Sequence, residues 1–282
     1  MAFSYVQHLS TIISSSIPFT AMKITQIRNA TILLELESDG QPIGILVDPM
    51  LSSLGALPSL RFLGGKRRRN PIVDLPQEWG ALSKRTTDAL ITHCQRGHFD
   101  HLDGPGKRFL REAEVSVFCM PRDADYLKNR GLRTQVLLGM KTQPFLHGRI
   151  TPVPCVHGNE VVGRFMEHGV GYLIEFPKEP SIYLAGDTLL TANVLRVLVE
   201  EKPGVAVLPA GGARFDVGSE ILMDGADVLA ACSLTKGVVI ANHLEAVDHC
   251  PTSRNSLRFD AVRAGLGDRL LVPRDGETLE FA

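Results

Sequence analysis

Short apolar runs separated by turn residues follow one another along the chain from Lys23 onward. Aliphatic and β-branched residues cluster over 24–28, 31–36 and 43–47, and the third run closes at Asp48-Pro49, which is a turn signal. Three such runs with short connections predict a small antiparallel meander. Further runs of strand length follow over 89–92, 115–120, 150–153, 171–176, 181–185, 205–208 and 238–241.

Stretches with helical spacing lie between the later runs, over 106–114, 122–129, 192–201 and 223–234. Strands that alternate with helices predict an α/β fold whose sheets are covered by helices. Residues 50–85 are instead rich in Ser, Gly and Pro, and they predict a long insertion with little regular structure. The last two apolar runs, over 269–272 and 278–281, lie on either side of Asp275-Gly276 and predict two strands joined by a turn.

The domain organisation follows from what the chain lacks. No linker rich in Pro, Gly and Ser divides it and no repeat recurs, so we expect one domain over 22–282. Residues 1–21 are Ser-rich. They lack the Lys or Arg that a secretory leader carries ahead of its apolar part. We expect a flexible N-terminal extension there; a cleaved leader and a start codon set too early are the alternatives.

Composition and charge narrow the function classes. The chain has 282 residues, of which 44% are hydrophobic and 22% charged, as in a globular protein with one large core. Its 30 Lys and Arg against 31 Asp and Glu give a net charge of −1, which lacks the basic excess of a nucleic-acid binder. No apolar run reaches the roughly 18 to 20 residues that cross a bilayer. Five widely spaced cysteines, an odd number, indicate reduced thiols and a cytoplasmic location.

A dense group of metal-ligand residue types follows the predicted strand over 89–92. Histidines stand at His93, His98 and His101, and carboxylates at Asp100 and Asp103. Imidazole nitrogen and carboxylate oxygen suit a borderline divalent ion such as Zn²⁺, with Mn²⁺ or Fe²⁺ as alternatives. Neighbouring side chains in this loop alternate in direction, so two adjacent ions are geometrically allowed. The group predicts a metal site, and a surface loop that is merely rich in histidine is the alternative.

Three later apolar runs each end in one further ligand-type residue. The run over 150–153 leads to His157, the run over 181–185 to Asp187, and the run over 238–241 to His243. Functional side chains of α/β proteins gather at strand ends. We therefore expect these three residues to join the cluster.

This order of motifs resembles the metallo-β-lactamase-fold superfamily of metal-dependent hydrolases. The matching features are Thr-His, His-x-Asp-His, a single His, Gly-Asp-Thr and a last His. The segments Arg28-Asn29-Ala30-Thr31 and Val47-Asp48-Pro49 are similar to the UlaG-like subgroup, which contains ascorbate-phosphate lactonases and N-acyl-phosphatidylethanolamine phosphodiesterases. The resemblance spans almost the whole chain. It implies a four-layer αββα sandwich with the site at the edge between its two sheets.

The resemblance also implies a role for each ligand and a cofactor of two Zn²⁺ ions per monomer. His98 and His157 would bind the first ion, and Asp187 would bridge to the second. The other ligands of the second ion would be Asp100, His101 and His243.

One position departs from the family pattern. The family has its first histidine two residues before the second, and Arg96 stands there in this chain, whereas His93 comes three residues earlier. Either residues 94–96 bulge out so that His93 still reaches the first ion, or that ion lacks one ligand. We favour the bulge because His93 keeps the family's place directly after the strand and Thr92.

Catalytic roles are expected for two residues. Asp100 would orient the attacking hydroxide and take up a proton for the leaving group. His249 would contact the substrate or support a ligand, and Glu245 or Asp248 could orient a ligand imidazole. Gly211 and Gly212 resemble the family's glycine turn near the site.

Other chemistry-bearing residues have simpler interpretations. The basic run from Lys66 to Arg69 could bind a substrate phosphate or carboxylate, but such a run is more often a solvated loop. Cys94 and Cys155 are interpreted as small inert residues. The remaining histidines, His8, His147 and His168, are interpreted as structural or solvated.

The expected function is hydrolysis of a small molecule by a metal-bound hydroxide. The substrate would be an ester, a lactone or a phosphodiester, and it could be anionic. A catalytically silent metal-binding or sensing protein is one alternative. A nucleic-acid phosphodiesterase is the other, and the near-neutral charge disfavours it.

Overall fold

The opening apolar runs form three antiparallel strands in the computed structural model, which describes residues 21–61, 67–94, 98–158, 166, 169–216 and 218–281. The predicted meander is therefore confirmed. Its strands are β1 (Met22–Arg28), β2 (Thr31–Ser38) and β3 (Gln41–Val47). The predicted extension lies outside the described residues except for Ala21, and the single domain over 22–282 stays a prediction.

Eleven further strands follow in the described residues. They are β4 (Asp88–Leu90), β5 (Ser116–Cys119), β6 (Arg133–Val136), β7 (Gln143–Phe145), β8 (Gly148–Pro154), β9 (Val170–Glu175), β10 (Ile182–Leu184), β11 (Val205–Pro209), β12 (Val238–Asn242), β13 (Leu270–Leu271) and β14 (Thr278–Phe281). The α-helices are α1 (Trp79–Leu82), α2 (Gly104–Glu112), α3 (Pro121–Lys128), α4 (Ala192–Arg196), α5 (Gly225–Leu234) and α6 (Arg254–Arg263). A 3₁₀ turn over Ser83–Arg85 continues α1, and a π turn over Val197–Glu201 continues α4.

The strands form two seven-stranded sheets. The first has the order β14-β1-β2-β3-β4-β5-β6, and the second has the order β13-β12-β11-β10-β9-β8-β7. Strands β3 to β6 run parallel in the first sheet, and β10 to β13 run parallel in the second. Parallel strands end at the same edge of a sheet, so the loops that follow them converge.

Alternation along the strands explains how four layers form. In β2, Ile32 and Leu34 face the core between the two sheets, whereas Leu33 lies in the core beneath helices α1 to α3. In β11, Val207 faces the inner core and Ala206 faces the layer of helices α4 to α6. Both faces of each sheet are therefore buried, which confirms the predicted αββα sandwich.

The structure corrects one strand prediction and adds elements. The last two strands do not pair with each other: β13 pairs with β12, and β14 pairs with β1 in the other sheet. The Asp-Gly turn thus connects two sheets rather than closing a hairpin. Strands β6 and β7 and helix α6 were not predicted. The described part of 50–85 is largely irregular, as expected, apart from α1 and its 3₁₀ turn.

No helix in the described ranges combines the length and the apolar character that a membrane span requires.

Candidate metal centre

Four strand-end loops bring the seven predicted ligands together. His93 and the segment 98–101 follow β4, His157 follows β8, Asp187 follows β10 and His243 follows β12. The imidazoles and carboxylates are all buried, with residue exposures of 7% or less. Seven polar side chains buried at one edge of a sandwich need partners, because an unpaired buried polar group is costly.

The seven side chains form two groups. The first group consists of His93, His98 and His157. The second group consists of Asp100, His101, Asp187 and His243. Within each group one ligand atom from every residue lies within 4.8 Å of the others, a spacing that allows one ion to contact all members.

Asp187 lies between the two groups. Its Oδ2 is 3.0 Å from His101 Nε2 and 3.3 Å from His243 Nε2 in the second group. The same oxygen is 3.8 Å from His157 Nε2 in the first group. One carboxylate therefore faces ligands of both groups, as a bridging residue must.

Outer hydrogen bonds turn two of the imidazoles toward the site. His101 donates from Nδ1 to Asp48 Oδ2 at 2.8 Å, and His157 donates from Nδ1 to the carbonyl of Ile221 at 2.7 Å. In both residues this fixes the tautomer and leaves the Nε2 lone pair for a metal. Asp48 is itself held by the backbone N–H and the hydroxyl of Thr92, at 2.8 and 2.6 Å.

The first group consists of neutral imidazoles. Burial lowers the pKa of His93, His98 and His157, that of His98 to about 4. Among the described residues, His93 Nε2 and both ring nitrogens of His98 have no hydrogen-bond partner. Buried, neutral, unpartnered imidazole nitrogens are the form in which histidine binds a divalent metal.

The second group combines two ionised carboxylates with two imidazoles. Burial alone would lower the pKa of His101, yet the carboxylates of Asp187, Asp48 and Asp100 raise it well above its ordinary value. Burial would likewise raise the pKa of Asp187, but His243 and His101 hold it well below its ordinary value. The group thus stabilises positive charge. Its nitrogen and oxygen donors fit a divalent cation, as those of the first group do.

The position of His93 answers the geometric question raised by the family pattern. Its ring centroid lies 4.5 Å from that of His98 and 5.4 Å from that of His157. The bulge hypothesis requires this arrangement. Metal binding by His93 stays a prediction. Arg96 lies outside the described residues.

His249 lies outside both ligand groups. It is 4% exposed, and its ring stacks on that of Phe215 with centroids 6.0 Å apart and planes at 11°. Burial lowers the pKa of His249 to about 4. Its Nδ1 has no hydrogen-bond partner among the described residues, so a neutral imidazole with a free nitrogen stands beside the centre.

The residues expected to orient the ligands have other partners. Glu245 pairs with Arg254 at 3.1 Å, and Asp248 accepts from Leu60 N and Asn70 Nδ2 at 3.1 and 2.9 Å. Neither hydrogen-bonds a ligand imidazole in this structure, so that interpretation is wrong. Asp48 takes this role for His101, and its place at the end of β3 is the signal that could have shown it.

Glycine at 211 is required by a close approach within the site. A Cβ at Gly211 would lie 2.4 Å from the carbonyl oxygen of His243 and 2.8 Å from Cys250 Sγ. The turn therefore packs on the backbone of a predicted ligand.

The other candidate residues have structural partners. Arg69 donates to the carbonyls of Gly55 and Ala56, and Lys66 lies outside the described residues. All five cysteines are free thiols, and neither Cys94 nor Cys155 belongs to a ligand group. His147 lies 3.4 Å from Asp39 at the surface. His8 and His168 lie outside the described residues.

Comparisons with known proteins find relatives that are described as metal-dependent hydrolases and solved structures of the same fold. The chain is 29% identical to the UPF0173 protein YddR of Bacillus subtilis, over 92% of this chain and 100% of that protein. It is 30% identical to the isothiocyanate hydrolase from gut bacteria of Delia radicum, with a TM-score of 0.80 over 92% and 99% of the two chains. No family model matches the chain.

Two further structures resemble this one. A possible metal-dependent hydrolase of Veillonella parvula is 26% identical, with a TM-score of 0.83 over 93% and 100% of the chains. The metallo-β-lactamase fold protein YhfI of Bacillus subtilis is 11% identical, with a TM-score of 0.62 over 92% and 99% of the chains, and it bears on the fold alone.

Proposed function

The chain belongs to the metallo-β-lactamase-fold superfamily of metal-dependent hydrolases, and from this membership we propose that it hydrolyses a small molecule at an electrophilic carbon. The observation that carries the proposal is the pair of buried ligand groups joined by Asp187. We propose two Zn²⁺ ions as the cofactor, with Mn²⁺ or Fe²⁺ as the alternatives.

The proposal assigns each group its ion. His93, His98 and His157 would hold the first ion, and Asp100, His101 and His243 the second, with Asp187 shared. Bound divalent ions supply a Lewis acid and lower the pKa of water. The chain's own contribution is to hold these donors in place, through Asp48 and the Ile221 carbonyl, and to exclude bulk water by burying every ligand.

Asp100 is the residue we propose to hold a proton during the reaction. Burial would raise its pKa, but His101 and His243 hold it well below its ordinary value, so the carboxylate is ionised. Its Oδ2 lies 3.4 Å from His243 Nε2. An ionised carboxylate at this edge of the site can orient the attacking hydroxide and take up a proton for the leaving group.

We propose that His249 contacts the substrate. Its unpartnered Nδ1 and its lowered pKa mean that the ring stays neutral and can donate or accept one hydrogen bond. The parallel ring of Phe215 fixes the plane of the imidazole. The two rings form one wall of the substrate site in this proposal.

The surroundings of His249 favour a carbon centre over a phosphodiester. Phe215 belongs to an apolar cluster that includes Met166 and Ile221. Two nearby arginines are already paired, Arg61 with Asp216 at 3.3 Å and Arg214 with Glu220 at 3.7 Å. An apolar wall suits an uncharged ester or lactone, because beyond the proposed ions it offers a phosphodiester few charge-assisted hydrogen bonds.

An isothiocyanate is the second candidate substrate. The observation that favours it is the 30% identity to an isothiocyanate hydrolase that matches this chain over 99% of its own length. The central carbon of an isothiocyanate is an electrophile that water attacks, as it attacks an ester carbonyl. The same site could therefore serve both classes.

The test combines metal analysis with a substrate panel. Protein purified without chelator and reconstituted with Zn²⁺, Mn²⁺ or Fe²⁺ should hold close to two ions per monomer. The loaded protein is then assayed on an aryl ester, a lactone, phenyl isothiocyanate and an aryl phosphodiester. We expect hydrolysis of at least one carbon-centred substrate and its loss after chelation.

Two results would contradict the proposal. Only trace metal after reconstitution would remove the two-ion centre and leave a silent protein as the better account. Activity confined to the phosphodiester would keep the metal centre and refute the carbon-centred substrate.

A further inference from the structure

The buried side chain of Asn29 makes only long hydrogen bonds from its nitrogen and none from its oxygen among the described residues. Asn29 lies in the turn between β1 and β2, is 0% exposed, and adopts the left-handed conformation with φ of 54°. Its Oδ1 has no hydrogen-bond partner among the described residues. A buried carboxamide normally uses most of its donors and acceptors, so this one needs an explanation.

The backbone of Asn29 does have a clear role. Its carbonyl accepts from the backbone N–H of His243 at 3.0 Å and from Gln26 Nε2 at 2.9 Å. His243 itself has a left-handed φ of 56°, and this contact helps to hold it there. A glycine would supply the same carbonyl and would adopt the left-handed conformation more easily. The carboxamide therefore serves some other purpose.

The carboxamide reaches the second ligand group. Asn29 Nδ2 lies 3.3 Å from His243 Nε2 and 3.4 Å from the backbone carbonyl of Asp100. His243 Nε2 also faces Asp100 Oδ2 and Asp187 Oδ2 at 3.4 and 3.3 Å. The amide donor thus stands at the margin of the reaction site, where its protein contacts are long.

Metal binding would leave this donor with one long contact. If the His243 Nε2 lone pair binds an ion, it can no longer accept a hydrogen bond from Asn29. The remaining protein acceptor is the Asp100 carbonyl at 3.4 Å. A buried amide N–H at the margin of a hydrolytic site is suited to bind oxygen that gains negative charge in the reaction.

We infer that the Asn29 side chain is a substrate-contacting residue that donates a hydrogen bond to an oxygen of the bound substrate. The inference rests on the proposed function, and it adds a donor that the ligand motifs do not include. It predicts a preference for substrates that develop an oxyanion beside the second ligand group.

Two substitutions isolate the carboxamide. Asn29→Gly keeps the left-handed turn and removes only the side chain. Asn29→Asp keeps the shape and the tolerance for this conformation but replaces the donor with an acceptor. Gln26→Met is the matched control, because it removes the hydrogen bond to the Asn29 carbonyl and leaves the carboxamide in place.

The readouts are metal content, kcat and KM on the best panel substrate, and calorimetric affinity for phenylboronic acid, which becomes a tetrahedral anion when it adds hydroxide. We expect both Asn29 variants to keep two ions per monomer. We expect kcat to fall roughly 10²- to 10³-fold and phenylboronate affinity to fall by at least about tenfold. Gln26→Met should leave both values near wild type.

Three results would overturn the inference. Loss of an ion from Asn29→Gly would make the residue a ligand or a support for one. Full activity and binding in Asn29→Asp would show that no donor is needed. A loss in Gln26→Met equal to that in Asn29→Gly would assign the effect to the turn. If the wild type hydrolyses nothing, the proposed function fails, and phenylboronate binding still decides the role of Asn29.

Discussion

A single carboxylate oxygen, Oδ2 of Asp187, faces imidazoles of both ligand groups. We expect Asp187→Ala to abolish hydrolysis and to lower metal content by at least one ion per monomer. The loss in kcat should exceed the roughly 10- to 100-fold loss that follows removal of a residue that only orients a metal ligand. Asp187→Asn, which keeps the shape without the charge, should lose metal as well. Full activity in either variant would refute the bridging role.

His93 tests whether the irregular spacing of the first group matters. Its Nε2 is buried without a partner among the described residues, as are both nitrogens of His98. We therefore expect His93→Ala to lower first-ion occupancy as strongly as His98→Ala, measured by elemental analysis. His147→Ala, at an exposed histidine, is the control and should keep both ions. Two tightly bound ions in His93→Ala would show that His93 is not a ligand of the first ion.

Arg96→Ala is expected to leave the metal content unchanged and to weaken substrate binding.

The thiols beside the ligands are expected to be bystanders. Cys155 Sγ donates to the carbonyl of Ala185 at 3.0 Å, and burial raises its pKa, so it stays a protonated thiol. Burial raises the pKa of Cys94 as well. Metal content in Cys155→Ser and Cys94→Ser should stay close to two ions per monomer. Loss of an ion from either variant would identify a thiolate ligand.

At the scale of elements, helix α2 anchors the loop that carries four of the seven predicted ligands. Asp103 caps the helix by accepting from Gly106 N at 2.7 Å, and its other oxygen accepts from Ser52 N at 2.6 Å. The residue is 1% exposed. One side chain therefore fixes both the start of α2 and the segment that follows β3.

Removing this cap should destabilise the fold. We expect Asp103→Ala to lower the free energy of unfolding by about 2–3 kcal/mol, because it loses a cap and leaves a second buried N–H unpaired. Ser253→Ala, which removes only the exposed cap of α6, should cost about 1 kcal/mol or less. Urea unfolding of the two variants measures the difference. Equal losses would show that the Ser52 contact contributes nothing.

At the scale of the whole molecule, the metals and the fold should stabilise each other. The ligand groups bury two carboxylates and five imidazoles between loops from both sheets. An ion that binds only the folded state raises stability in proportion to the logarithm of its concentration over its Kd. We expect chelation to lower the unfolding temperature by several degrees and Zn²⁺ to restore it. An unchanged unfolding temperature would argue against both ions.

Acid should remove the ions for the same reason. Imidazole must be neutral to bind a metal, and its ordinary pKa is about 6.5. Carboxylates overcome the effect of burial and raise the pKa of His101, and Asp187 does the same for His243, so protons compete with the ion there from relatively high pH. Metal content should therefore fall as the pH drops below about 6, beginning with the second ion, because burial keeps the imidazoles of the first group neutral to lower pH. Full occupancy after dialysis at pH 5 would contradict this expectation.

The sequence by itself determined the fold class and the predicted ligands. Short apolar runs marked the central strands because strands such as β11 bury both faces, and this burial pattern is local to the strand. Several ligands could be predicted because they come shortly after a strand, as His157 does after β8 and His243 after β12. Periodicity and strand ends are properties of neighbouring residues, so one chain is enough to show them.

Only the tertiary structure decided which distant residues meet. Asp48 and Asn29 look like ordinary turn residues in the sequence, and their contacts with His101 and His243 span 53 and 214 positions. The separation of β13 and β14 into different sheets was likewise not predictable from the turn between them. Which strands pair depends on which sheet edges are unpaired when the two sheets pack together. Local periodicity does not record this, because the competing strands are far apart in the sequence.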